Sequence, residues 1–288
     1  MNIGYACINN SVGCTSSRTF RLASYTSERF RSTLTENLSC LQRILQWNVD
    51  HNISFFRISS QIVPFASHPI CTYPWQTEFK SQLQQIGDFI KQHNLRVSMH
   101  PDQFVLINSI SEEIFARSVK ELDYQAEVLD LMGLDNTHKL QIHVGGVYGD
   151  KELSIERFIS RYKTLPDKIK RRLVIENDDR LYSLQDCLKV HDGTKIPILF
   201  DTFHHEILNN GETMRKALES AFSTWKPEDG KPIIDYSSQE PGARIGNHAK
   251  SIDLAHFQAF LKVSEGLEFN IMFEIKDKEA NVLKAMSL

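Results

Sequence analysis

The sequence predicts an α/β fold: a (β/α)8 TIM barrel in a single domain spanning residues 1–288. Three observations predict it. Short β-rich runs alternate with longer stretches of helical periodicity, eight times over. The length of 288 residues is near the roughly 250 typical of this barrel. Histidines and carboxylates stand at the ends of consecutive predicted strands, where such barrels carry their active sites.

Residues 3–7 read as the first strand. The helix after it, residues 34–51, is marked by Leu34, Leu38, Leu41, Ile44, Leu45 and Val49 on one face. Phe55, Phe56 and Ile58 mark the second strand. Residues 82–93 form the next helix, with Leu83, Ile86, Phe89 and Ile90 on its apolar side. The third strand is 96–99, and the amphipathic helix 112–132 stops at Gly133. The fourth strand, 140–144, precedes a helix at 155–165. The fifth, 173–176, precedes a helix at 184–191. The sixth, 196–201, precedes one at 213–222. The seventh, 233–237, precedes one at 253–262. The eighth, 269–275, leads into residues 279–286, which close the ring. No linker rich in Pro, Gly or Ser divides the chain. Residues 11–33 form the main insertion, and polar loops flank the seventh strand.

A net charge of −3 argues against a non-specific basic coat for nucleic acid and leaves a local patch open. The N-terminal segment has no basic region followed by an apolar run, and nowhere do about 18 apolar residues succeed one another. The expectation is an intracellular, cytoplasmic protein with no membrane contact and no obligatory protein partner. The five cysteines, Cys7, Cys14, Cys40, Cys71 and Cys187, are scattered and never spaced C-x-x-C. They predict neither a disulfide scaffold nor a zinc ribbon, and fit a reducing compartment. The basic run at residues 168–172 precedes the fifth strand, on the opposite face of the barrel from the strand ends, and reads as a solvated helix end.

The chemistry lies at the strand ends. His100 ends the third strand, His143 lies near the end of the fourth, Glu176 ends the fifth and Asp201 the sixth, with His204 just beyond. Asp235 lies on the seventh, His248 in the loop after it, and Glu274 at the end of the eighth. Alone, each has an ordinary reading: a half-buried hydrogen-bonded histidine, or a carboxylate capping the next helix. Together they would bury several carboxylates at one rim, which is costly without a compensating cation. We therefore read all eight as candidate metal ligands, with Glu176, Glu274, His100 and His143 also as catalytic residues. Mixed imidazole and carboxylate ligands suit zinc, manganese or iron. The set exceeds the needs of one tetrahedral ion, so two to three divalent ions are implied, with Glu176 and Glu274 able to bridge. Such centres favour phosphate-ester hydrolysis. A bridged pair also fits a sugar isomerase or epimerase.

At this point the chain resembles a known family, the ultraviolet damage endonucleases, nearly from end to end. The resemblance is carried by Gly4-Tyr5 with Asn9, by Arg18-Thr19-Phe20-Arg21-Leu22, by Phe56-Arg57-Ile58-Ser59-Ser60 with Pro64-Phe65-Ala66-Ser67-His68, and by His100-Pro101-Asp102-Gln103-Phe104. It continues through His143-Val144-Gly145-Gly146, Glu176-Asn177-Asp178-Asp179, Asp201-Thr202-Phe203-His204-His205 and Phe273-Glu274-Ile275-Lys276. The resemblance implies a barrel related to endonuclease IV and xylose isomerase. It implies incision on the 5′ side of cyclobutane pyrimidine dimers and (6-4) photoproducts in double-stranded DNA, with abasic sites as a further candidate. It also implies up to three ions, commonly manganese, with zinc or magnesium as alternatives. Strand seven departs from the family pattern: Ile233 and Asp235 stand where many members carry Lys and His. Asp235 can replace the imidazole as a ligand, whereas Ile233 cannot replace the lysine.

For DNA contact, Gln103 and Phe104 read as a wedge that enters the base stack beside a lesion. Most members have Tyr at the position of Phe104. Tyr5 and Asn9 are candidates for lining the lesion pocket. Arg18, Arg21, Lys276 and Lys278 are candidates for phosphate contact. The rival readings are an abasic-site enzyme like endonuclease IV, a sugar isomerase or epimerase, and a non-catalytic damage-binding protein.

Overall fold

The computed structural model describes residues 2–288. Eight parallel strands close into a barrel in sequence order: β1 Ile3–Ala6, β2 Phe55–Ser59, β3 Arg96–His100, β4 Leu140–His143, β5 Leu173–Glu176, β6 Ile198–Asp201, β7 Ile233–Tyr236 and β8 Asn270–Phe273. Pairing of β1 with both β2 and β8 completes the ring. The helices are α1 Ser27–Asp50, α2 Trp75–Glu78, α3 Lys80–Gln92, α4 Glu112–Leu131, α5 Lys151–Thr164, α6 Asp167–Lys170, α7 Leu184–Thr194, α8 Thr202–Ile207, α9 Met214–Phe222, α10 Leu254–Val263 and α11 Glu279–Met286. Among the described residues, no helix is long and apolar enough to cross a membrane.

The periodic helices form where expected, and their ends follow caps rather than apolar periodicity. Helix α1 begins at Ser27, not near residue 34, because Thr26 accepts the N–H of Arg29 and starts the helix early. Its first two turns are polar apart from the buried Phe30, so they carry no hydrophobic stripe. Ser111, Asp150, Thr213 and Asp253 cap α4, α5, α9 and α10 in the same way. In α3, Gly87 faces the carbonyl oxygen of Met132. A Cβ there would sit 1.7 Å from that oxygen, so only glycine allows the approach.

Alternation along the strands sends every second side chain inward. The outward set joins the helices in one large core. A smaller apolar cluster inside the barrel contains Ala6, Phe55, Val174, Leu199, Ile233 and Met272. Ile233 is therefore part of the barrel's filling, one inward step below Asp235. At the closed end, Lys139 donates to Asp229 at 2.6 Å, and Trp225 lies under the charged ends of Arg96 and Lys139.

Two expectations need correction. Arg172, read as part of a solvated helix end, is buried; its guanidinium bonds Asp130 and the carbonyls of Leu134 and Asp135. It ties the turn between α4 and β4 to the start of β5, a long-range use that a basic run does not reveal. Cys14 and Cys40, which their scatter left unpaired, form a disulfide across a separation of 26 residues. The loop after β1 folds back over α1 and brings them together. Cys7, Cys71 and Cys187 are free.

Candidate metal centre

The strands deliver their last residues to the open end of the barrel. His100 ends β3, His143 ends β4, Glu176 ends β5 and Asp201 ends β6. The ladder sets His143 beside Glu176 and Asp201 beside Asp235. Glu274 follows β8 and is held by the bond from its N–H to the Tyr236 carbonyl. His204 comes from the first turn of α8, whose cap is Asp201: Oδ1 of Asp201 accepts the His204 N–H at 2.7 Å. Asp201 thus serves both as helix cap and as a residue of the centre.

Glu176 is buried in the middle. Its Oε2 lies 3.4 Å from Nε2 of His100 and 3.5 Å from Nε2 of His143, while Oε1 lies 3.2 Å from Nδ1 of His204. Among the described residues, three groups bring their ligand atoms within 4.8 Å of one another: His100, His143 and Glu176; Glu176, Asp201 and His204; Asp201, Asp235 and Glu274. Glu176 is common to the first two and Asp201 to the last two. His248 stands beside them, its ring 6.0 Å from that of His204 and its Nδ1 2.9 Å from the Glu274 carbonyl oxygen. That contact fixes the ring and turns Nε2 away from the carbonyl.

The residues fit divalent cations. Nδ1 of His100, Nδ1 of His143 and Oδ2 of Asp201 are buried without a partner, and such atoms call for an explanation. Burial, then the neighbouring Glu176 and Glu274 carboxylates, push Asp201 up to about 7. Burial lowers the proton affinity of His204, but Asp201 and Glu176 outweigh it and lift the ring to about 11. Burial pushes His100 down, which leaves its ring neutral with a lone pair to offer. A proton held on His204 balances charge that a cation would otherwise balance.

Two residues of the centre were not foreseen. Arg57, inward on β2, is buried; its Nη2 lies 2.7 and 2.8 Å from the two oxygens of Asp235, and its Nη1 donates to Glu274. Gln141, inward on β4, accepts from Arg57 at 2.7 Å and donates to Glu176 and Asp235, each at 2.6 Å. The available signal was a polar side chain at an inward position of an otherwise apolar strand. Burial works to raise Glu274, yet Arg57 outweighs it and holds this carboxyl down at about 2.

The predicted DNA-contacting residues separate into three sets. A cleft of about 850 Å³ opens above the centre; Gln103 and Phe104 line it with His100 and Glu274, and Lys276 and Lys278 line it as well. Phe104 is 76% exposed. Phe104 also lines an adjoining, largely apolar cavity of about 570 Å³ with Phe65 and Val105. Arg18 and Arg21 are exposed on the loop before α1, and Arg18 pairs with Glu36 at 3.3 Å. Tyr5 and Asn9 are placed elsewhere than the pocket wall expected of them. Tyr5 points outward from β1 into the buried core and donates to Asn48 at 2.6 Å; Asn9 donates to Tyr5 and accepts from the N–H groups of Ser11 and Val12. Together they anchor the loop after β1.

A model of the UV-endonuclease UvdE family matches residues 1–288. A UV DNA damage endonuclease from Clostridium perfringens (strain 13 / Type A) is 38% identical over 289 residues, covering 100% of this chain and 70% of the relative. The crystal structure of SacUVDE is similar with a TM-score of 0.96 at 46% identity, covering 100% of this chain and 97% of that one. Endonuclease IV from Thermus thermophilus shares the fold, with a TM-score of 0.63 at 13% identity, covering 100% of this chain and 98% of that one.

Proposed function

The chain belongs to the UV-endonuclease UvdE family, and from that membership we propose that it is a metal-dependent DNA repair endonuclease. It nicks the backbone of double-stranded DNA on the 5′ side of cyclobutane pyrimidine dimers and (6-4) photoproducts, leaving a 3′-hydroxyl and a 5′-phosphate. Abasic sites are a further substrate. The observation that carries the reading is the meeting of two imidazole–carboxylate groups around Glu176 at the floor of an open cleft.

His100, His143, Glu176, Asp201 and His204 would hold two divalent ions, manganese first among them, with His248 and Glu274 beside them. Such ions supply an activated water and positive charge for the phosphoryl group and the leaving oxygen. The chain's own residues do the rest. Glu176 turns one oxygen toward each group and so sets their spacing. Lys276 and Lys278 take backbone phosphates at the cleft wall. Gln103 and Phe104 stand at its lip, where an exposed ring and an amide can enter a disrupted base stack. An open cleft of this size admits a duplex edge, whereas a sugar isomerase needs an enclosed pocket.

The test is incision of three defined duplexes carrying a dimer, a (6-4) product or an abasic site, each with manganese, with zinc or with EDTA. We expect nicking 5′ to the lesion with manganese and none with EDTA. Glu176→Gln should abolish nicking while keeping the circular dichroism of the parent. Full activity in that variant, or nicking indifferent to chelator, overturns the proposal.

A further inference from the structure

We infer that the guanidinium of Arg57 holds the place of one cation in this centre, so that the protein takes two divalent ions and not three. The inference rests on the metal-dependent reading above and deepens it.

Of the three groups able to share an ion, only the third, Asp201, Asp235 and Glu274, lacks an imidazole. It is also the only one with a fixed positive charge already on it. Arg57 donates to both oxygens of Asp235 and to Glu274, thus engaging two of its three members. Gln141 adds a second donor to Asp235, on Oδ2. A carboxylate receiving donors on both oxygens has little left to give an ion. The hydrogen bonds that the Asp235 carboxylate oxygens make all come from donors, the Arg57 guanidinium and the Gln141 amide. A guanidinium stays protonated under all ordinary conditions, so it leaves the site only if the side chain moves. Its surroundings leave little room for that: Arg57 lies inside the barrel, among the strands.

Charge balance points the same way. The centre holds four carboxylates, Glu176, Asp201, Asp235 and Glu274, and one guanidinium. With neutral imidazoles, two divalent ions leave one positive charge, which a phosphodiester cancels. Three would leave three, a large surplus to bury. The sequence at β7 agrees: Ile233 completes the apolar layer beneath, and Asp235 supplies an ion-pair partner rather than an imidazole.

The decisive measurement is the number of manganese ions bound per chain, by native mass spectrometry and by elemental analysis after equilibrium dialysis, with manganese chloride alone and no DNA. Two per chain supports the inference. Three overturns it while leaving the metal-dependent reading intact. None removes that reading and the inference with it. Arg57→Met supplies a second measurement. We expect its stoichiometry to rise to three and its thermal stability to become strongly dependent on manganese. A folded Arg57→Met protein that still binds two overturns the claim that the guanidinium keeps an ion out; if this variant does not fold, the parent's stoichiometry decides alone.

Discussion

Arg57 and Asp235 are 178 positions apart and stand on strands with two others between them, yet Nη2 of Arg57 lies 2.7 and 2.8 Å from the two carboxylate oxygens of Asp235. The pair is buried, and its stability role follows from that burial. Removing one partner strands the other charge away from water, which costs about 3–5 kcal/mol. Replacing both by apolar residues removes both desolvation penalties. In the presence of EDTA, Arg57→Met should therefore destabilise the protein by about 3 kcal/mol or more, and Arg57→Met with Asp235→Leu should recover most of that loss. Urea unfolding of the two single variants and the double variant gives the coupling directly. Additive losses would mean that the pair is not acting as a unit.

Phe104 separates contact with DNA from contact with the fold. Its ring is 76% exposed, so Phe104→Ala should change folding stability by no more than about 0.5 kcal/mol. Base–aromatic stacking is worth about 1–3 kcal/mol. Binding and incision of a dimer-containing duplex should thus fall about tenfold or more, while Phe104→Tyr should retain them. Unchanged incision by the alanine variant would remove Phe104 from the wedge.

His138 sets an acid limit at the other end of the barrel. It is 7% exposed, and its Nδ1 lies 3.1 Å from the Val97 nitrogen and 3.3 Å from the Val97 carbonyl oxygen. Burial pushes it down to about 4 from an ordinary 6.5. The unfolded chain therefore takes up a proton at higher pH than the folded one. Its stabilising effect is complete above about pH 6.5, is lost as the pH falls toward 4, and is constant below that. A shift of this size corresponds to about 3 kcal/mol. His138→Gln should flatten the pH dependence of the urea midpoint between pH 6.5 and 4 relative to the parent; identical slopes would sink the assignment.

How much of this was readable beforehand depended on the range of the interaction. Alternation and helical spacing are properties of neighbouring residues, so the eight strands, the main helices and the barrel class follow from the sequence alone. So do the ligand candidates, because a barrel sends the residues at its strand ends to one rim. His100, His143, Glu176, Asp201 and His204 meet there as that rule requires. What only tertiary structure decided are the pairings between distant residues. Asp235 is a ligand candidate by its position, but its engagement by Arg57 and Gln141 depends on three strands meeting inside one barrel. Tyr5 and Asn9 lie in a segment that resembles the family's, yet Asn48 on α1 is what turns them to anchoring a loop. Cys14 and Cys40 gave no spacing signal, and Arg172 looked like surface charge, until the chain's path set each beside its partner. Local periodicity encodes where each element runs. A buried charge finds its counter-charge only through the closed geometry of the whole ring.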